Sequence, residues 1–550
     1  MNKKLIAVIL ILPTLVFLTI TVKFIVNMPS TDDYHAILWW LNDFIANPNL
    51  NSRLALIFKQ HNEHRIVFNR IIQLLDFYLT GKVNFKTLSY FGLLGLLSTY
   101  LLIIRLSLKK GLKLIDLIPI PYLFFSLSQW QLIGWAMASI QQYWQLFFSV
   151  LGIILITSKN QLKFFITGLV ITSMGIFTSG GGLLVLPVIL IYYFLTKTNF
   201  PRILFWLFYS AINIYIYFRL LNYAKPVSES ITFDKLVNNA SIIIQYPFYF
   251  LGSMFYGEYC SLAILALISG ICITLIFLIL TTKKIYLKYP DLFCIMLFII
   301  LISATVSLNR YNLGLTTALG SRYTIYSSLL LVAIYISALL EYKLFTNYIR
   351  KSGIIIGISL YLLWLPNSLK ILNNEYEILT TKLKITSNIL DYDILKLAIK
   401  NKIFYPLKAI YNNLPMALPV DNQTLYHPGY DGHIDYITYY NGIIIIQGWG
   451  IIKNGYELPQ TAIAKIDNDY YPINYGKLIR PDVVNYFNNP RLLNCGYDIN
   501  IYASDFKKNK TNNNIINISI ILVAKSGNKF YPGPPIKVDL NNLNHIKIIP

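Results

Sequence analysis

Long apolar runs separated by short basic clusters fill the first 372 residues of this chain, and a more polar, Asn-rich stretch of short segments follows. The first run, Leu5 to about Val26, follows Lys3-Lys4, is long enough to span a bilayer and has no small-residue cleavage site. It predicts an uncleaved first helix with its basic end in the cytoplasm. Apolar runs at 84–106, 113–128, 143–158, 164–179, 183–196, 203–221, 259–281, 291–308, 322–342 and 353–372 predict further spans, about eleven in all. The stretch 66–80 is apolar on one side only and carries Arg70 and Asp76, so it is expected to lie along the interface. Had it spanned, Arg105, Lys109, Lys110 and Lys113 would face outward, against the positive-inside tendency.

That register puts everything after residue 373 outside the cytoplasm. A helical linker is expected over 373–424. Strand-like runs at 442–452 and 514–524, broken by Gly and Asn, predict a β-sandwich-like domain within 425–550. The expected fold class is mainly α: a polytopic membrane helical bundle over 1–372, with a first outer loop and interfacial helices at 27–83, and a C-terminal extracytoplasmic β-sandwich-like domain.

Composition agrees with the pattern. Hydrophobic residues make up 55% and charged residues 13% of 550, and the mean hydropathy is +0.53. A soluble domain of that make-up would precipitate. The net charge of +22 sits in short clusters between apolar runs, which writes topology, so no nucleic acid is expected as a partner. Four scattered cysteines with no CxxC or His/Cys ligand spacing support neither a disulfide framework nor a zinc site. The expected place is an integral position in a bacterial inner membrane. The amino terminus would be cytoplasmic and the C-terminal domain periplasmic or extracellular.

The chemistry concentrates between Thr31 and Arg65. This segment holds Asp32-Asp33, His35 and the cluster Gln60-His61-Asn62-Glu63-His64-Arg65, and three of the six histidines fall in it. Ionisable groups near a bilayer are costly, and such a concentration is a functional signal. The same outer face would carry the loop 129–142 with Gln141, the loop 309–321 with Arg310, and Arg322. Each has a plainer reading. The Asp pair could cap the helix that follows, the 61–65 cluster could be a solvated rim, Arg322 a headgroup anchor, and the loop aromatics an interfacial belt.

A first span followed by an outer loop opening on Asp32-Asp33, then interfacial helices, a short Gly turn at Gly81, a second span with a basic inner end and many later spans resembles the GT-C superfamily of integral-membrane glycosyltransferases. The likeness covers residues 5–370 as architecture, and its motif content is the Asp pair and the cadence from His64 to Leu108. The chain departs from the family pattern in having Glu63-His64-Arg65 where a His-Pro-Pro entry would stand, and it lacks a WWDYG-type signature.

The resemblance implies transfer of a single sugar from a polyprenyl-phosphate sugar to a glycan or lipid acceptor among the membrane lipids, on the outer face. Asp33 is the expected base and Asp32 the second choice, since an acceptor hydroxyl must lose a proton as it attacks. Adjacent carboxylates also raise one another's pKa. Arg65, Arg322, His61 and His64 would bind the donor phosphate, and His35, Glu63, Gln141 and Arg310 would orient the acceptor. One base with no covalent intermediate implies inversion. Asp32 and Asp33 could also hold a divalent metal, Mg or Mn, which two carboxylates alone do not establish. Trp449 could hold a glycan or belong to the sandwich core. The readings from other classes are a lipid-linked glycan flippase or transporter, and a non-catalytic envelope-glycan assembly protein.

Overall fold

The computed structural model describes residues 3–158, 162–223, 237–381 and 389–405. In the tail it describes 430–440, 443–452, 458–466, 469–473, 476–478, 480–487, 489, 492, 494–502, 515–524, 529–532, 535–539 and 547–548. The protein is mainly helical. It divides into two compact units, one of residues 1–380 with 401–405 and one of 381–400 with 406–550. Of the expected linker, 382–388 and 406–424 lie outside the described residues.

The first unit is a helical bundle with, among the described residues, eight helices long and apolar enough to cross a membrane, which makes this an integral membrane protein. The other three expected spans are shorter elements. Leu114–Gln129 is broken into tight turns and short helices, Leu162–Ile176 has 15 residues, and Gly180–Leu195 opens with a tight turn. Its helices are α1 (Lys3–Phe24), α2 (Trp40–Ala46), α3 (Leu50–Phe58), α4 (Val67–Thr80), α5 (Phe85–Lys109), α6 (Pro119–Phe124), α7 (Gln131–Gly134), α8 (Ala136–Thr157), α9 (Leu162–Ile176), α10 (Val185–Leu195), α11 (Phe200–Tyr215), α12 (Ala240–Leu251), α13 (Ala263–Thr282), α14 (Pro290–Arg310), α15 (Thr324–Glu341) and α16 (Thr346–Thr381). The span Ser321–Glu341, which contains α15, is 89% buried, against 22% for the span containing α13, so α15 is the axis of the bundle and α13 its rim.

Close helix contacts rest on small residues, as in other membrane bundles. A Cβ on Gly252 would fall 1.8 Å from the Ala266 carbonyl oxygen, and one on Gly270 would fall 1.9 Å from that of Phe248. Only glycine fits where α12 meets α13.

Helix α4 realises the interfacial expectation in an inverted form. Its polar residues Asn69, Arg70, Gln73 and Asp76 are buried in protein, whereas Ile71, Leu75, Tyr78 and Leu79 are exposed. Fourteen residues span about 21 Å at 1.5 Å per residue, short of the ~30 Å hydrocarbon core. A helix that turns its polar side inward and its apolar side outward has lipid as its outer solvent.

The second unit contains a helix, Ile389–Lys400, and two facing sheets. One has the order β3-β4-β8-β7, from β3 (Tyr430–Tyr440), β4 (Ile443–Ile452), β7 (Gly476–Leu478) and β8 (Gly496–Tyr502). The other runs β12-β11-β9-β5-β6, from β5 (Pro459–Ile466), β6 (Asp469–Ile473), β9 (Ile515–Ala524), β11 (Ile536–Asp539) and β12 (Lys547–Ile548), with β10 (Lys529–Phe530) also pairing β9. Ile434, Ile444, Ile446, Tyr497, Ile499 and Ile501 pack against Ala464, Ile518, Ile520, Leu522 and Val538 in one core. Trp449 stands on the other side of its sheet, half-buried against Phe487 of the helix Pro481–Phe487, so it is not a residue of that core.

Candidate functional site

After α1 the chain turns through buried Ile25, Val26 and Met28 to Ser30, and Thr31 takes a left-handed conformation at φ 50°. This turn aims Asp33 into the protein, where it is fully buried. Its Oδ2 accepts from the Ser30 N–H at 3.0 Å, and its Oδ1 accepts from the Met137 N–H at 2.8 Å. Met137 stands in the first turn of α8, where backbone N–H groups have no partner within the helix. Asp33 therefore caps a helix 104 residues away and makes no side-chain cap bond to the π-helical turn Tyr34–Trp39 that follows it. Burial pushes its carboxyl up to about 7; the amides of Met137, Ser30 and Ala136 pull the other way, and the neighbouring Asp32 adds the smallest upward push. The expectation that the pair raises its own pKa has the right sign, but burial is the larger cause. Asp32 is half-buried.

The cluster 60–65 folds as a hairpin, with β1 (Gln60–His61) antiparallel to β2 (His64–Arg65) and His61 directly opposite His64. Asn62 makes the turn at φ 48°. Burial drops His61 to about 4, helped by the nearby charge of Arg70 and by His64 and His35, against an upward pull from Glu63. Burial lowers His64 as well, with Glu63 opposing and the charges of Arg310 and Arg322 assisting. Both shifts favour the neutral imidazole, a hydrogen-bonding group and proton acceptor. His61 Nε2 and His64 Nδ1 are buried without a partner. His35 lies edge-on to Trp39.

Arg65 has another task than the expected one. It is fully buried, and its guanidinium donates to the carbonyls of Phe58, Tyr217 and Leu221 at 2.7, 2.8 and 2.8 Å. Arg70 binds the carbonyls of Leu56 and Ile57 at 2.9 Å, and that of Lys59, over the Trp40 ring. Both arginines close helix ends whose last carbonyls lack partners. With three donors so committed, Arg65 is a clamp between the hairpin and the end of the 200–220 span, less free than two cations near His64.

Those cations are Arg310, at the end of α14, and Arg322, just before α15. Arg310 Nη2 stands 3.9 Å from Glu63 Oε1, a loose pair in which Glu63 is 43% exposed. The Arg322 guanidinium lies over the rings of Tyr323 and Trp135, 5.1 and 5.9 Å from their centroids, with no carboxylate partner among the described residues. Its backbone N–H donates to Gln131 Oε1 at 3.2 Å. The Gly180–Leu184 turn closes the other side, because a Cβ on Gly180 would stand 3.1 Å from both His64 Nδ1 and the Tyr217 hydroxyl. Gln141 donates to Ser179 at 3.1 Å beside that turn. The structure thus gathers Asp33, His61, His64, Glu63, Arg310 and Arg322 around the start of α8 and the hairpin.

The expected loop 129–142 is α7 and the first turns of α8, with Leu132, Ile133 and Ala136 buried, so it is packed helix. Within α8 and α15, the Tyr326 hydroxyl donates to Gln142 Oε1 at 2.6 Å and Gln145 Oε1 at 2.9 Å, and Gln145 donates to Ser149. Gln142, Gln145 and Tyr326 went unread in the sequence. Their signal was three glutamines (141, 142, 145) at the mouth of an apolar run. A second unread group is the inward stripe of α4. There Asn69 Oδ1, both amide atoms of Gln73 and Asp76 Oδ1 are buried without partners.

Comparison with known families, with curated proteins and with solved structures found no match to this chain. Among the described residues no three His, Cys, Asp or Glu side chains converge as a metal would require. Both Asp33 oxygens face amide N–H donors, a surrounding opposite in kind to that of a cation.

Proposed function

We propose that this protein is a membrane glycosyltransferase of the GT-C type, moving one sugar from a polyprenyl-phosphate donor to a glycan or lipid acceptor at the outer face of a bacterial inner membrane. The observation that carries the reading is the cation left over at this end of the bundle. Arg322 lies on two aromatic rings with no carboxylate partner among the described residues, beside Arg310 and His64. A guanidinium held that way is a fork for phosphate oxygens.

In the reaction, the acceptor hydroxyl oxygen bonds to the anomeric carbon as the bond to the phosphate oxygen breaks. The hydroxyl proton goes to a carboxylate, and the negative charge goes to the departing polyprenyl phosphate, where Arg322 and Arg310 meet it. A base must reach the proton it takes. Full burial and two amide bonds suit Asp33 to holding α8 in place, and half-burial suits Asp32 to the base. Single displacement inverts the anomeric centre. A divalent metal, if used, would draw on Asp32 and supply further charge for the phosphate.

The test is transfer of labelled sugar from a short-chain polyprenyl monophosphate sugar in membranes holding equal amounts of protein. Arg322→Ala should cut transfer by about 10²- to 10³-fold, the loss usual for one such charge-stabilising donor. Asp32→Asn should cut it by about 10²-fold or more. Equal transfer by all three proteins sinks the reading. The glutamines and Tyr326 inside the bundle favour a second one, a lipid-linked glycan transporter, which predicts movement of the lipid-linked sugar with no new glycosidic bond.

A further inference from the structure

The outer face of the β3-β4-β8-β7 sheet carries a row of side chains that the folding of the sandwich leaves unused. Register places Tyr436, Gln447 and Asp498 side by side on three adjacent strands, with Gly476 next in line on the fourth. Neighbouring strands lie about 4.8 Å apart, so the three side chains span about 10 Å, the reach of two sugar rings. Tyr436 is 52% exposed. One Asp498 oxygen, Oδ1, is buried without a partner. An unpaired buried carboxylate oxygen is costly and calls for a donor.

The next row is equally ordered. His433 lies opposite Trp449, which lies opposite Gly496. The stem of Arg480 covers Gly496, where a Cβ would stand 2.7 Å from Arg480 Cγ. The Arg480 guanidinium donates to both oxygens of Asp482 at 2.8 and 2.5 Å, and also to Asp435. Arg480 is thereby fixed and neutralised.

We infer that this face binds a neutral glycan, with Tyr436 and Trp449 as ring platforms and Gln447 and Asp498 receiving sugar hydroxyls. Charge selects the occupant. In a chain of net +22, the described charges around these two rows are Asp435, Asp482 and Asp498 against Arg480, with His433 beside them. Such a face repels anionic headgroups, phosphate-bearing polymers and nucleic acid. Hydroxyl donors meet the unpaired carboxylate oxygen with no charge to bury, and each aromatic offers a flat apolar face with little rotamer entropy to lose. This site is independent of the transferase reading and can stand or fall without it.

The experiment uses the full chain in phosphatidylcholine nanodiscs, since detergents with sugar headgroups would compete. Maltohexaose, cellohexaose and chitohexaose are titrated by calorimetry. At least one should bind, with Kd on the order of 10 μM to 1 mM, in line with a shallow, wet site. Tyr436→Ala and Asp498→Asn should each weaken that binding at least about tenfold, the worth of one hydrogen bond to a charged group. Tyr436 is too exposed for its removal to unfold the domain. Asp498→Asn should hold or raise the thermal midpoint while binding falls, because it removes a carboxylate whose Oδ1 is buried without a partner among the described residues. No binding by any of the three hexasaccharides at up to about 10 mM, roughly tenfold above the weakest Kd expected, overturns the proposal. So does binding untouched by both substitutions, or capture of the chain by phosphatidylglycerol vesicles that Tyr436→Ala abolishes.

Discussion

The two ends of the helical bundle treat charge in opposite ways. Helix α14 carries Asp291 near one end and Arg310 at the other, and 19 steps of 1.5 Å put these about 28 Å apart, close to a hydrocarbon core's thickness. At the Asp291 end the ion pairs are closed: Lys110 with Asp291 at 2.8 Å, Arg350 with Asp116 at 2.6 Å and Lys288 with Glu341 at 2.6 Å. At the Arg310 end the Glu63–Arg310 pair is loose at 3.9 Å, Arg322 has no carboxylate partner among the described residues, and two imidazole nitrogens are unmatched there. Matched charge holds helices together. Unmatched charge at the other end is where the proposed reaction places its departing phosphate.

The contrast is oriented only if the closed end is cytoplasmic, and this has an all-or-none test. A reporter active only outside the cytoplasm should be silent at Lys110 and active after residue 550, as the basic clusters predict. The tail's side also depends on parity. If an odd number of the three short elements fails to cross, the tail reporter falls silent while the Lys110 result stands. Reversal at Lys110 would exchange the two ends and break the comparison.

Next in size is a pair of substitutions, one at each end. Asp116→Ala should cost about 3 kcal/mol of stability, because it takes the carboxylate partner from half-buried Arg350 and uncaps Lys113–Leu117. Arg322→Ala, which loses transfer in the proposed reaction, should move the thermal midpoint by little. Comparable destabilisation by both, measured by thermal unfolding in nanodiscs, would mean that the Arg322 end is as structural as the other.

A subtler effect is in pH. Asp33 is raised in the folded state from the usual 3.8 to about 7, so the stability it contributes is complete below pH 4 and is lost as pH rises through 7. His61, lowered from 6.5 to about 4, acts in the opposite sense: its contribution is present above pH 6.5 and is lost as pH falls toward 4. Asp33→Asn should therefore remove a downward slope in the thermal midpoint between pH 4 and 7, leaving the His61 contribution behind. An unchanged slope would place Asp33 in contact with water. Smallest of all is Lys288→Ala, whose exposed pair should be worth about 0–1 kcal/mol. A loss above 2 kcal/mol would show a network at the closed end.

Much of this plan is legible along the chain, because apolar length and basic punctuation are local signals. The runs of α1, α5, α13, α14 and α15 stand out that way, and so does the polar concentration at 31–65. Partners distant in sequence are not local. Nothing near Asp33 announces that its carboxylate belongs to the Met137 amide, and nothing near Arg65 points to carbonyls at 217 and 221. Read alone, such residues look like reactive groups, since burial and hydrogen-bond commitment are properties of the assembled fold. Helix α4 shows the same limit. Its one-sided apolarity marks an amphipathic helix, but which side meets protein depends on whether water or lipid surrounds it. The orphaned amides of Gln73 follow from that inversion.

The short segment Asn401–Tyr405 has a consequence in time. Its Ile403 carbonyl accepts from the Val83 N–H at 2.8 Å, Asn401 bonds Asn42 at 2.9 Å, and Phe404 packs edge-on against Phe85. The two sides of the Val83 bond are 320 residues apart, 403 minus 83. At the usual ~5–20 residues per second of synthesis, roughly 15–65 s pass between them. During that interval the base of the loop between α1 and α5 stands open, with Asn42 and the Val83 amide waiting. The loop that carries Asp32 and Asp33 is thus among the earliest parts of the protein to be made and among the last to be finished, and its closure reports that the whole membrane unit has been built.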